Sequence, residues 1–80
     1  MVVEIPAIDE LKREYRLTYA EYVRQVDVVE RLGLSGEPDS REMETAMMAL
    51  ERARRAYSAA RDQLAEAVQA ASAASSHRRA

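Results

Sequence analysis

The second half of the chain places alanine at every seventh position, at Ala46, Ala53, Ala60 and Ala67, with Met43, Leu50, Tyr57, Leu64 and Ala71 interleaved at steps of three and four. Such a stripe is a helical seam, and one built half of methyl groups lets a neighbouring helix axis approach toward the low end of the usual ~8–10 Å. No Gly or Pro interrupts it from Ser40 to Ala80. A chain with this stripe has to supply a second helix to lie along it.

The first half supplies one. Ile8, Leu11, Tyr15, Thr18, Tyr22, Gln25, Val29 and Leu32 recur with the same alternation, a heptad seam with two polar members. Pro6 suits a first helical turn, and Asp9 and Glu10 put negative charge near the positive end of the helix dipole. Leu32-Gly33-Leu34 predicts a Schellman ending with Gly33 left-handed. Ser35-Gly36-Glu37-Pro38 is turn chemistry, and Asp39 with Glu42 forms a capping-box-like restart. The expected fold is therefore all-α, a single antiparallel two-helix hairpin over residues 1–71. Helix 1 covers about 6–32, the turn 33–38 and helix 2 about 39–71; residues 72–80 are expected to fray as a flexible tail.

A short connection makes the helices antiparallel neighbours, and a turn centred near residue 37 sets the register. Ile8 faces Ala67, Leu11 faces Leu64, Tyr15 faces Ala60, Thr18 faces Tyr57, Tyr22 faces Ala53, Gln25 faces Leu50, Val29 faces Ala46 and Leu32 faces Met43. In most layers a large residue meets a small one, the alternation that fills space without voids. The geometry resembles the antiparallel "Alacoil" packing style, which implies no activity. Charge agrees with the pairing, since residues 1–40 hold five basic and nine acidic side chains and residues 41–80 hold seven and five.

Size now becomes the limiting quantity. A small domain buries only around 60% of its unfolded surface, and with no cysteine in the 80 residues no disulfide or thiolate–zinc site can add stability. The apolar surface also extends past the seam. Ile5, Tyr19 and Val26 on helix 1 and Met47 and Val68 on helix 2 flank one side, Val28, Ala49, Ala56 and Ala70 the other, and Leu17, Val23 and Met48 lie further round. A face this wide belongs to a bundle. The expected assembly is a homodimer forming a four-helix bundle, or a complex with another helical protein, with Tyr19, Val23, Val26, Met47 and Val68 as interface residues.

Chemistry is sparse. Tyr15, Tyr19, Tyr22 and Tyr57 are the only aromatic residues; they could form a ligand or partner hot spot, but Tyr15, Tyr22 and Tyr57 fit better as seam residues with hydroxyls at the surface, leaving Tyr19 for an interface. Arg41, Arg52, Arg54, Arg55 and Arg61 could track phosphates, yet they do not share a face and acidic residues intersperse them, so a solvated surface is the better reading. Arg54 could also stack on Tyr19. Glu10/Glu14 and Asp62/Glu66 have the spacing of metal-binding carboxylates but lack a Glu-x-x-His element, and His77 stands alone beside Arg78 and Arg79. No phosphate loop, nucleophile motif or Cys/His pair occurs, and an alanine-filled hairpin leaves no volume for a pocket. The chain is read as a non-enzymatic protein–protein interaction or oligomerisation module, with no catalytic, metal, cofactor or small-molecule site. The alternative is a small nucleic-acid-associated or regulatory protein using helix 2 and the Arg78-Arg79 tail. No apolar run approaches the ~20 residues of a membrane span, and the N-terminus lacks the features of a secretory signal, so a soluble, cytoplasmic protein is expected.

Overall fold

The computed structural model describes residues 8–36 and 39–77, with side chains described through Ala74. Helix α1 runs Ile8–Leu34 and helix α2 runs Ser40–His77, packed against one another as an antiparallel hairpin. Pro6 and Ile5, together with Arg78 and Arg79, lie outside the described residues.

The burial pattern follows the expected seam from Ile8 to Leu32 and from Met43 to Ala67 and departs from it at Ala71. Ala46, Ala53 and Ala60 are the buried core at 6, 7 and 3% exposure, and every other seam position from Ile8 to Leu32 and from Met43 to Ala67 is half-buried. Ala71, next on the stripe, is exposed because α1 has no residue left to cover it. The two polar members cost little. Thr18 donates its hydroxyl to the carbonyls of Glu14 and Tyr15 at 2.9 and 3.0 Å, and Gln25 donates its amide to Glu21 at 2.9 Å.

Three details depart from expectation. Gly33 does not take the left-handed conformation: α1 continues through it to Leu34, and the positive φ, 90°, belongs to Gly36. The reason lies in Ser35, whose amide and hydroxyl both donate to the Leu32 carbonyl, at 3.3 and 2.8 Å, closing the helix and postponing the chain reversal. At the restart, the Asp39 carboxylate accepts the Arg41 amide at 3.2 Å and its carbonyl accepts the Met43 amide at 3.0 Å. The Asp39 carboxylate therefore caps the helix through the second amide, and among the described residues no bond joins it to Glu42, so a simple N-cap forms in place of the capping box. Finally, α2 does not stop at residue 71 but continues to His77, because Ala70, Ala71, Ala73 and Ala74 have the highest intrinsic helix propensity and hold the helix without packing.

The result is one layer of two helices, 63 × 23 × 15 Å. A compact monomer of 9.0 kDa exposes about 4,900 Å² by size scaling. This chain exposes 6780 Å², an excess of about 1,900 Å². Because the alanine seam has no spare volume, Ala53→Leu or Ala60→Leu should each destabilise the hairpin by about 1–3 kcal/mol, while Ala59→Leu, on an exposed position, should stay within about 0.5 kcal/mol of the parent. Urea unfolding followed by helical circular dichroism distinguishes the two cases.

Candidate interaction surface

The geometry of the site starts from Tyr57. It occupies the layer of Thr18, and a small residue there leaves room for its ring between Tyr15 and Tyr22, one turn away on either side. The ring stacks on Tyr15 at 5.4 Å and on Tyr22 at 5.6 Å, nearly parallel to the latter at 1°, and meets Tyr19 at 5.5 Å tilted by 51°. The Tyr57 and Tyr15 hydroxyls lie 3.2 Å apart in a hydrogen bond. Single-sequence spacing could place Tyr57 beside the other three but not reveal that bond. Its effect is to hold the Tyr57 phenol above its ordinary range, first through the Tyr15 hydrogen bond and then through burial.

Tyr19 joins this cluster by one face and leaves the other open, at 50% exposure. Val23 and Val26 follow it along the same edge of α1, and Met47 stands on α2 at the turn-proximal end; all three are exposed. A shallow hollow of about 580 Å³ opens beside them, lined by Met43, Met47, Met48, Ser40 and Glu44. Val68 is exposed too, but 21 residues of helix put it about 31 Å along the axis from Met47. The structure thus brings four of the five proposed interface residues into one patch and leaves Val68 at the far end.

The opposite edge carries a feature that sequence reasoning missed. An open groove of about 550 Å³ runs beside Gln25, Val28, Leu32, Thr45, Ala46 and Ala49. Alanine at 46 and 49 is too small to fill the space that Val28 and Leu32 bound, so the seam that is tight along its centre is underfilled at this rim. The expectation that the hairpin has no volume for a pocket is corrected accordingly.

Charged side chains on α2 are engaged locally. Arg54 grips Glu51 through two bonds at 2.6 and 2.9 Å, and Arg55 adds a third at 3.2 Å. On α1, Arg24 holds Glu21 in the same bidentate way. These hydrogen bonds depress both carboxyls to about 2, the arginine bond being the larger cause in each. Among the described residues no group of three metal-ligating side chains comes together, and no helix is long and apolar enough to cross a membrane. Comparison with protein-family models, curated proteins and solved structures gave no match.

Two pH dependences follow. Tyr57 has a raised pKa in the fold, so its contribution to stability is fully present below the unfolded value near 10 and is lost as pH rises through the folded value. Alkaline unfolding should track phenolate absorbance, and Tyr57→Phe should remove that coupling. Glu21 and Glu51 have depressed values, so their contribution is present above about 4.5 and is lost as pH falls toward about 2. Being surface pairs, they should move the acid midpoint only slightly, and less at high salt.

Proposed function

We propose that this chain is a cytoplasmic, non-enzymatic helical interaction and oligomerisation module that acts through the Tyr19–Val23–Val26–Met47 edge. The supporting observation is that edge itself: four large apolar side chains, each 36–50% exposed, contiguous on one side of a molecule only one layer thick. Monomeric domains scatter such residues. A row of them beside a stacked tyrosine cluster matches the apolar, aromatic centre of a protein interface.

Each of these side chains is already half or more buried, so covering the remainder would stabilise by roughly 0.5–1.5 kcal/mol apiece, a few kcal/mol in all against the ~5–15 kcal/mol by which a domain is stable. The partner and the fold are then coupled by mass action. The nucleic-acid reading has less behind it, since Arg54 and Arg55 are both committed to Glu51.

The test is Tyr19→Asp combined with Val26→Asp. Both positions are exposed in the single chain, but Tyr19→Asp also removes a ring packed on Tyr57, so the concentration dependence of the melt, and not its midpoint alone, reports on the interface. The parent should melt at a temperature that rises with protein concentration, and the double variant should melt lower and independently of concentration. A variant that keeps the parent's melting temperature and concentration dependence would show that this edge binds nothing.

A further inference from the structure

The charges around the apolar edge have an order that bears on what docks there. The two rows of each helix nearest that edge, beyond the seam, hold Lys12, Arg16 and Arg61 toward the open end of the hairpin, with Asp9 as the exception, and Glu30 and Glu44 toward the turn. Arg61 follows Ala60, the partner of Tyr15, so it lies level with Arg16. Glu44 follows Met43, the partner of Leu32, and lies level with Glu30. Between the two groups sit the apolar patch and the internally satisfied Arg54–Glu51 pair. Arg16, Glu30 and Glu44 make no ion pair among the described residues, and Arg61 has only a 3.4 Å contact to its neighbour Asp62.

This pattern is its own complement. The midpoint of Arg16 and Glu30 is Val23, and that of Tyr19 and Val26 lies between Tyr22 and Val23. On α2 the midpoints of Arg61 and Glu44 and of Arg54 and Glu51 both fall between Arg52 and Ala53, the layer that faces Tyr22. All four centres coincide within a residue. We infer that the occupant of this edge is a second copy of the chain, related by a two-fold axis that crosses both helices at this level. Each helix then lies antiparallel on its own counterpart. This inference rests on the interaction reading above and specifies its partner and geometry.

In that arrangement Arg61 meets Glu44 of the other copy and Arg16 meets its Glu30, each twice by symmetry. Tyr19 comes over Val26 and the reverse, closing the patch. The other way of stacking two hairpins, with the axis along the helices, sets Arg16 over Arg61 and Glu30 over Glu44, so like charges oppose it at both ends.

The sign of two charge reversals tests it. Arg61 and Glu44 are about 25 Å apart along α2, so neither substitution acts on the other within one chain. Arg61→Glu and Glu44→Arg should each weaken dimerisation by roughly tenfold or more at low salt, with the loss shrinking as salt rises. An equimolar mixture of the two variants should form a heterodimer of near-parental affinity. At one of its two contacts the substituted side chains meet as an opposite pair with their signs exchanged, and at the other the unaltered Glu44 of one variant meets the unaltered Arg61 of the other. If either single reversal tightens the dimer, the axis runs along the helices and the inference is wrong. If both leave it unchanged, or the mixture fails to rescue, it is equally overturned while the interaction reading survives. A parent that stays monomeric removes self-association itself.

Discussion

Ala46, Ala53 and Ala60 are the most buried residues between the two helices, and nearly everything else about the molecule is arranged around that methyl-lined seam. Methyl groups at these layers give the aromatic and aliphatic side chains of α1 a floor to lie on, so Tyr15 and Tyr22 can flatten against α2 and leave a slot one turn wide. Tyr57 fills it, stacked on both sides and hydrogen-bonded to Tyr15. The same seam keeps the core thin. Three small residues make up the buried core among the described residues, so the apolar area removed from water within one chain is modest.

That shortage shapes the rest. A chain of this size with a single layer cannot enclose its larger side chains, and Tyr19, Val23, Val26 and Met47 are left along one edge. Burying them requires a second layer. The exposed charges beside them reverse sign about a point near Val23, which is the basis of the orientation proposed for such a layer. Val68, about 31 Å away, stands outside this pattern, and the groove beside Val28 and Ala49 lies on the other edge.

Most of the fold was legible in the residues, since the heptad spacing alone names the buried alanines and most of the half-buried positions, and a short turn leaves one register. What escaped was set by local competition that periodicity does not see. Gly33 looked like the natural left-handed stop, but Ser35 caps the Leu32 carbonyl first and the reversal moves to Gly36. The alanines after Ala67 looked like a tail because nothing packs on them, yet intrinsic propensity carries the helix to His77. The candidate surface was partly legible. Spacing put Tyr19, Val26 and Met47 beside the seam, but grouping by heptad position records only the side of a helix and not the distance along it, so Val68 was joined to them despite the 21 residues that separate it from Met47, and the underfilled opposite rim was missed.

The account as a whole depends on the hairpin being half of its working structure. Sedimentation equilibrium of the unmodified chain at low ionic strength addresses this most directly. A mass approaching twice the 9.0 kDa of one chain, falling toward a single chain on dilution, is the predicted result. A single-chain mass at every concentration, together with a cooperative melt independent of concentration, would contradict it.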